Sequence, residues 1–244
     1  LGEIMKLFFY SIIAVFAVGS LFADDHSNAS QAGLPEGGFS TFHVVAEDPY
    51  AYIDYLKSNP ESLSGNGSDI VGYCMTMTGH DHPGELFIWN AYSDLGKALS
   101  DGLAYNPYKA PKQLKNMRKI LYTAVWKPLT PFPVNPGFER VTRVNVKPEN
   151  TQKFLMASEI LQAEMNAAGD EFEMGVLLGL GAGAKETTLM VRGIAPDGKS
   201  FGELYEKGYS GKAPWGQALQ NMQSLIDEVV RDSHEQCETL YTAE

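Results

Sequence analysis

Two kinds of hydrophobic pattern alternate along this chain. Short runs in which apolar and polar residues take turns predict β-strands, whereas longer runs whose apolar residues recur every three or four positions predict helices. The predicted strands lie at 39–46, 69–77, 85–91, 120–127, 138–146, 171–178, 186–193 and 236–242. The predicted helices lie at 49–58, 93–101, 111–119, 148–168, 200–207 and 214–234. The order of elements is therefore β-α-β-β-α-β twice over, with an extra short helix in each copy.

The residues of the two copies match as well as their elements. Gly72 in the second strand recurs as Gly175, and the sequence LYTA occurs at 121–124 and again at 240–243. Further matches, in the same order, link Phe39, Pro49 and Leu56 with Phe138, Pro148 and Leu155. Each match is weak alone, but their unbroken order predicts a duplicated chain.

A proline-rich segment at 128–137 separates the two copies and is expected to be a semi-rigid linker. We therefore predict an α+β protein with two tandem ferredoxin-like halves, 39–127 and 138–244. Two such halves in one chain resemble the dimeric α/β-barrel superfamily, which includes antibiotic-biosynthesis monooxygenases, muconolactone isomerase-like proteins, chlorite dismutase-like haem proteins and stress-responsive barrel proteins. The resemblance implies an intramolecular dimeric α/β barrel, that is, a monomer with an internal pseudo-dimer. Because it rests on element order and not on a family motif, it implies no particular activity.

The resemblance also implies where the two cysteines lie. Barrel closure in this superfamily sets strand 2 of one half near strand 4 of the other. Cys74 falls in the second predicted strand of the first half, and Cys237 opens the last predicted strand of the second. An exported protein with an even number of cysteines commonly oxidises them. We expect a Cys74–Cys237 disulfide if the Cα atoms lie within about 7 Å; the alternative is two unrelated buried thiols.

The N-terminal segment predicts export. From Met5 the chain has one lysine, an apolar run from Leu7 to Phe22, and then Ala23 before two acidic residues. This is the form of a secretory signal peptide, so we expect residues 1–23 to be leader and signal peptide, and the mature chain to be periplasmic or secreted, with no membrane association after cleavage. The alternative is an uncleaved membrane anchor, for which this run is slightly short. Residues 24–38 are small and polar, and are expected to form a flexible leader.

Composition narrows the range of partners. The chain has 244 residues, of which 44% are hydrophobic and 20% charged, so it can bury a substantial core and is neither disordered nor fibrous. Its net charge of −11 opposes a phosphate backbone or an anionic lipid surface. We therefore expect no nucleic-acid partner and regard a small-molecule ligand as the partner to look for.

A pair of histidines raises the question of a metal site. His80 and His82 flank Asp81 in the loop between the second and third predicted strands. Alternate residues of an extended chain point the same way, so the pair could supply two ligands to zinc or copper. No second histidine pair or cysteine cluster completes the shell, and the matching loop of the second copy has no such ligand. A solvated polar turn is the alternative.

His43 is the candidate catalytic residue, because the matching position of the second copy is Thr142 and the shared fold therefore does not need it. An imidazole can act as a general base near neutral pH. We expect neighbouring aromatic and basic residues to line a ligand pocket around it or, alternatively, to belong to the core: Tyr73, Trp89, Tyr122, Arg140 and Arg143. Arg140 and Arg143 lie on opposite faces of one strand, so at least one is expected to point inward and to seek a carboxylate.

Two functions of different classes remain open. The first is an exported small-ligand-binding or scaffold module, which we favour because the chain contains no nucleophile elbow, phosphate-binding loop or paired-carboxylate motif. The alternative is a cofactor-free monooxygenase- or isomerase-like enzyme that acts on a small organic molecule with His43 as base. No cofactor is predicted; a haem-binding version, with His43 or His234 as axial ligand, is a third and weaker hypothesis.

Overall fold

The structure, a computed structural model, describes residues 34–60, 63, 67–181, 183 and 189–243. The first half contains β1 (Gly38–Ala46), α1 (Pro49–Lys57), β2 (Ile70–Thr78), β3 (Glu85–Tyr92), α2 (Leu95–Ser100), α3 (Lys112–Met117) and β4 (Arg118–Pro128). The second half contains β5 (Phe138–Asn145), α4 (Thr151–Ala167), β6 (Glu173–Leu180), β7 (Leu189–Ala195), α5 (Gly198–Tyr209), α6 (Gly216–Gln223) and β8 (Glu228–Thr242). Aspartates at the N-caps of three helices accept backbone hydrogen bonds and fix where those helices begin: Asp48, Asp94 and Asp197.

The eight strands form one closed barrel in the order β1-β3-β2-β8-β5-β7-β6-β4. Neighbouring strands are antiparallel, and β4 pairs back to β1. Two junctions join the halves: β2 pairs with β8, and β4 pairs with β6. The predicted association of strand 2 of each half with strand 4 of the other is therefore present, and the protein is an α+β barrel.

Strand alternation separates an inner face from an outer face. On β5 the inner residues are Glu139, Val141 and Arg143, whereas the outer residue Val144 packs with the helices of the second half. The first half has an equivalent outer core around Val44, Tyr52 and Leu86. The molecule thus has two apolar layers between sheet and helices, and a barrel interior that also holds charged side chains.

The two repeated glycines, Gly72 and Gly175, leave space for aromatic rings because they have no side chain. A Cβ atom on Gly72 would lie 2.1 Å from the Trp89 ring, and a Cβ atom on Gly175 would lie 2.1 Å from the Phe132 ring. Phe132 belongs to the linker, which therefore packs directly against the barrel. The glycine is therefore present in both halves because an aromatic ring packs directly against the strand backbone at each position.

The last helix and strand differ from the prediction, whereas all other predicted bounds lie within three residues of the observed ones. The helix predicted over 214–234 ends at Gln223, and β8 begins at Glu228. Val229 pairs with Val144 of β5, so strand pairing overrides the helical periodicity read from this segment. β8 is therefore 15 residues long, against 11 in β4, and Cys237 lies well inside β8 instead of opening it.

The predicted signal peptide, at 1–23, and most of the predicted flexible leader lie outside the described residues. Within the described part of the chain, no helix combines the length and the hydrophobicity needed to span a membrane.

Candidate functional site

A buried charge network surrounds the disulfide inside the barrel. Cys74 and Cys237 lie opposite each other on β2 and β8, with Cα atoms 4.1 Å apart, and form the disulfide that was expected. The Arg192 Nη2 atom lies 3.4 Å from the Cys74 sulfur and 3.6 Å from the Cys237 sulfur. Arg192 also donates from Nε to Glu139 at 2.7 Å and from Nη2 to Glu235 at 3.4 Å. The Arg192 guanidinium thus donates hydrogen bonds to two buried carboxyl groups.

The buried Glu139 carboxyl has a raised pKa. Burial raises the pKa of its carboxyl to about 7, although the Arg192 guanidinium opposes the rise, and the neighbouring Glu235 adds to it. The Glu139 carboxyl is therefore partly protonated at neutral pH.

His43 is also buried in the barrel interior, where the Phe87 ring contacts both His43 and Arg192. The His43 ring stacks on Tyr122 with centroids 4.1 Å apart, and its Nε2 atom lies 3.0 Å from the Thr41 hydroxyl. Burial holds its pKa well below the ordinary value of 6.5, and the positive charge of Arg143 is the next cause. The imidazole is therefore neutral at physiological pH. His43 lines neither the 430 Å³ cavity of the second half nor the 190 Å³ cavity of the first half.

The aromatic residues expected around His43 do not share one pocket. Tyr122 stacks on His43, and Trp89 lines a cavity of about 40 Å³ that the linker residue Phe132 covers. Tyr73 lies on the outer face, in the core beneath the helices, with the Lys57 ammonium 5.5 Å from its ring centroid. The interior near His43 is filled by side chains.

His80 and His82 lie on an exposed turn. Within the described residues, the groups of three or more His, Cys, Asp or Glu close enough to share a metal include neither histidine. The group that does meet the distance criterion is Cys74, Glu235 and Cys237, whose sulfurs are already joined to each other. Between the histidines, Asp81 donates its backbone N–H to Glu85, and Arg231 donates to Glu85 at 2.7 Å. These contacts tie the turn to β8.

The two arginines of β5 are separated by the sheet. Arg143 is buried in the barrel interior, whereas Arg140 lies on the outer face and borders a large cavity. This cavity has a volume of about 430 Å³ and lies between the outer face of the second half and helices α4, α5 and α6. Most of its wall is apolar, from residues that include Leu161, Met165, Phe172, Met174, Val191 and Leu219.

Asp170 fixes the helices that cover this cavity. Its carboxylate accepts hydrogen bonds from Trp215 Nε1 at 2.7 Å and from Lys207 Nζ at 2.8 Å. Trp215 immediately precedes α6, and Lys207 lies on α5, so one acidic side chain positions both helices over the sheet. On the sheet itself, Gly193 leaves the space that the Phe172 ring occupies.

A polar group of residues lies at one end of the cavity. Arg140 donates two hydrogen bonds to Asp232, at 2.8 and 2.7 Å, and its guanidinium lies over the Tyr205 ring. The Tyr205 hydroxyl lies 2.8 Å from His234 Nε2, and His234 Nδ1 lies 3.0 Å from the Thr78 hydroxyl. This chain of three hydrogen-bonding groups runs from the cavity wall across the junction between the halves.

The electrostatics of this polar end favour a neutral imidazole beside a protonated phenol. The hydrogen bond from Arg140 lowers the pKa of Asp232, which therefore stays ionised. Burial lowers the pKa of His234 and raises the pKa of Tyr205. The sequence indicates His234 only as a possible haem ligand and gives no sign of Tyr205. The reason is that the segment containing His234 is predicted to be helical, and a helix would not place His234 beside α5.

The comparisons with known proteins support the fold. A candidate monooxygenase from Lactobacillus acidophilus NCFM superposes with a TM-score of 0.57 at 10% identity, covering 85% of this chain and 96% of that one. An anthrone oxidase-like protein gives a TM-score of 0.55 at 10% identity, covering 86% and 97%. A haem-binding protein from Thermus thermophilus gives 0.51 at 10% identity, covering 83% and 91%.

These solved structures are dimeric α/β barrels, so the fold resemblance inferred from the sequence is confirmed. No protein-family model and no curated protein matches the chain. At this level of identity the likeness establishes the architecture alone, and the activity has to be argued from the residues.

Proposed function

We propose that the protein binds a small, largely apolar organic molecule in the cavity of the second half. The observation that carries this proposal is the cavity itself, which has a volume of about 430 Å³ between sheet and helices and a mainly apolar wall. Ligand sites commonly fall between about 300 and 1,000 Å³ and combine an apolar wall with a few placed polar groups. The filled barrel interior around His43 offers no comparable space.

The lining indicates the kind of ligand. Methionine side chains are polarisable and adapt to flat aromatic rings, and Met165, Met174 and Met222 all line the wall. Because Arg140 is already paired with Asp232, a ligand carboxylate would have to displace that partner. A neutral aromatic molecule with one hydroxyl or carbonyl group is the better fit, and the anthrone oxidase-like neighbour is consistent with this class of compound.

The residues do not fit haem. Haem iron in proteins is held by histidine, cysteine, methionine with histidine, or tyrosine. Among its described residues the cavity wall includes neither histidine nor cysteine, and the hydroxyl of its tyrosine, Tyr205, is engaged with His234 at 2.8 Å. His234 directs both ring nitrogens at hydroxyl groups, and His43 lies inside the barrel. The haem-binding property of the Thermus neighbour is therefore not proposed for this chain.

A second candidate function is catalysis by proton transfer in the same cavity, which the Tyr205–His234 contact favours. A neutral imidazole can take the phenol proton while Tyr205 takes a proton from an acidic O–H or C–H group of the ligand. The net change is one proton moved from the ligand to His234, which converts an aryl ketone into its enolate and His234 into an imidazolium. In this proposal the base is the Tyr205–His234 pair, in place of His43.

Binding is tested by filling the cavity. The neutral probe N-phenyl-1-naphthylamine is titrated by fluorescence into the disulfide-bonded chain and into a Leu219→Trp variant, whose larger ring occupies the cavity. We expect affinity to fall by about tenfold or more, since each 1.4 kcal/mol of lost contact is tenfold. Leu99→Trp, at an exposed position of α2, is the matched control. Equal affinity in a folded Leu219→Trp variant would exclude this cavity as the site.

Catalysis is tested separately with anthrone, a tricyclic ketone. Exchange of its methylene protons for deuterium is followed by NMR with and without protein. Tyr205→Phe and His234→Gln should remove any acceleration by the protein while leaving probe affinity nearly unchanged. His82→Gln, an exposed histidine, is the control. If both variants still accelerate the exchange, the Tyr205–His234 pair is not the base. If the unaltered protein does not accelerate the exchange, only the binding function remains proposed.

We also propose that the two halves are duplicated ferredoxin-like units of an exported chain. Duplication is supported by the strand orders β4-β1-β3-β2 and β8-β5-β7-β6, which are the same arrangement twice. Export is supported by the apolar run from Leu7 to Phe22 and by the disulfide, which persists in oxidising compartments. The N-terminus of the mature chain, determined by mass spectrometry, should be Asp24.

A further inference from the structure

The first half encloses a cavity of its own. It has a volume of about 190 Å³ and lies between the outer face of the first-half sheet and the segment that carries α2 and α3. Its apolar walls include Phe42, Ile88 and Leu114, and its polar groups include Ser40, Tyr105 and Arg118. This cavity is separate from the one assigned above, which lies in the second half.

Arg118 is the unusual feature of this wall. Its Nη1 atom donates to the Tyr52 hydroxyl at 2.6 Å, its Nη2 atom donates to the Tyr105 hydroxyl, and its guanidinium carbon lies 4.7 Å from the centroid of the Phe42 ring. Across the described residues, none of the ion pairs involves Arg118. The half-buried Arg118 guanidinium is thus a positive charge that contacts two phenol hydroxyls and an aromatic ring, and no ion-pair partner for it is found among the described residues.

The surrounding segment is basic although the molecule is acidic. From Gly102 to Lys127 the chain has six basic residues and no acidic one, whereas the whole chain carries a net charge of −11. Part of this segment forms the cavity wall, and Lys109, Lys112 and Lys115 are exposed near it. Clustered charge of one sign at a cleft attracts ligands of the opposite sign. The excess of acidic residues elsewhere conceals this feature in the overall composition.

We propose that this cavity is a second ligand site, which binds a small organic carboxylate. The carboxylate accepts hydrogen bonds from Arg118, and the apolar body of the ligand lies against Phe42, Ile88 and Leu114. A guanidinium has five N–H donors, of which two are directed at the phenols, so the group can hold a ligand without releasing Tyr52 or Tyr105. Planar carboxylates match the fork of arginine well.

The size and the walls of the cavity favour a carboxylate over a phosphate ester. A phosphate group carries up to two charges and presents three acceptor oxygens, which one guanidinium in an apolar cavity would leave poorly paired. A monocarboxylate with a short aromatic or branched body places one charge at Arg118 and its remaining surface on apolar side chains. The site does not depend on the function proposed for the second half.

Benzoate and its neutral analogue benzamide test the proposal. Each is titrated into the isotope-labelled, disulfide-bonded chain and followed by two-dimensional NMR. We expect benzoate to shift amide signals around Leu114 and Thr123, which line the cavity, and to bind about tenfold more tightly than benzamide, as a charge-assisted contact requires. Equal binding of the two compounds, or shifts confined to the second-half cavity, would overturn the proposal.

Substitution of Arg118 completes the test. Arg118→Gln should weaken benzoate about tenfold and leave benzamide unchanged. Lys199→Gln removes the same unit of charge from an exposed position of α5 and should change neither. If Arg118→Gln fails to fold, Arg118→Lys keeps the charge and loses the fork, and should weaken benzoate several-fold. Unchanged benzoate affinity in whichever folded Arg118 variant is measured would overturn the assignment.

Discussion

At the residue scale, alternation along a strand identifies two faces but not which face is enclosed. Arg140 and Arg143 were correctly placed on opposite faces of β5, yet only the closed barrel shows that Arg143 lies inside and Arg140 borders a cavity. The same limit applies to His43, whose strand was predicted but whose burial in a filled interior depends on seven other strands. Local pattern predicts local direction; enclosure is a property of the assembled sheet.

The titration of Glu139 is the prediction that belongs to this scale. Its carboxyl has a pKa of about 7, raised by burial from the ordinary 4.5. The folded state therefore binds this proton more tightly than the unfolded state does. The resulting stabilisation is fully present below about pH 4.5 and is lost as the pH rises to about 7. Carboxyl carbon NMR, with the signal assigned through Glu139→Gln, should show a midpoint near the higher value.

The stability of the protein should follow the same curve. Relative to Glu139→Gln, the unfolding free energy of the unaltered chain should decrease across this pH interval, as measured by chemical denaturation with the disulfide intact. Glu149→Gln, on the surface, should leave the pH dependence as it is. An NMR midpoint near the ordinary glutamate value would mean that the shared Arg192 fully neutralises both carboxyl groups.

At the element scale, the order of strands and helices was predicted well, and β8 shows where such prediction ends. Residues 226–234 have apolar positions that also suit a helix, but Val229 and Val230 are β-branched and the adjacent β5 offers an unpaired edge. The first part of β8 pairs with β5 and the last part pairs with β2, so one long strand serves both halves. Only tertiary pairing decides between the two structures.

Proline substitution distinguishes two positions of this strand. Val230 lies at the register shift opposite Arg143 and Val144, whereas Gln236 pairs with Phe138 on one side and Met75 on the other. Proline is tolerated at bulges and disrupts a central ladder. We expect Val230→Pro to cost about 1 kcal/mol or less and Gln236→Pro about 3 kcal/mol or more. Denaturant unfolding measures both; equal losses would show that the shift at Val230 is not a true bulge.

At the scale of the whole molecule, the duplication made the barrel predictable, and the cavities were not predictable. Matches such as Gly72 with Gly175 require only the sequence, and they imply two equivalent halves. Cavity volume instead depends on how far each helical layer stands from its sheet. Contacts such as Asp170 with Trp215 set that distance, and they join residues far apart in the chain. The sequence therefore predicts two equivalent halves, whereas only the structure shows that the cavities of the two halves differ.

The closure of the barrel is unequal at its two junctions, and this inequality leads to the last prediction. The junction of β4 and β6 runs from Val125 to Pro128, and Pro128 has no N–H to donate. The junction of β2 and β8 runs from Ile70 to Thr78 and carries the disulfide, which closes a sequence separation of 163. Opening in the oxidised protein should therefore begin at the β4–β6 junction.

Removing the disulfide should reduce this inequality. Cys74→Ala together with Cys237→Ala should lower the unfolding free energy by roughly 2 to 5 kcal/mol, because a long loop in the unfolded chain is released. Native-state hydrogen exchange should accelerate at Tyr73 and Glu238, in β2 and β8, and change little at Val125. The reduced unaltered chain should behave like the double variant, and the variant should not respond to reductant. If exchange at Tyr73 and Glu238 stays as slow as before, strand pairing alone closes this junction, and the disulfide adds nothing to the cohesion of the barrel.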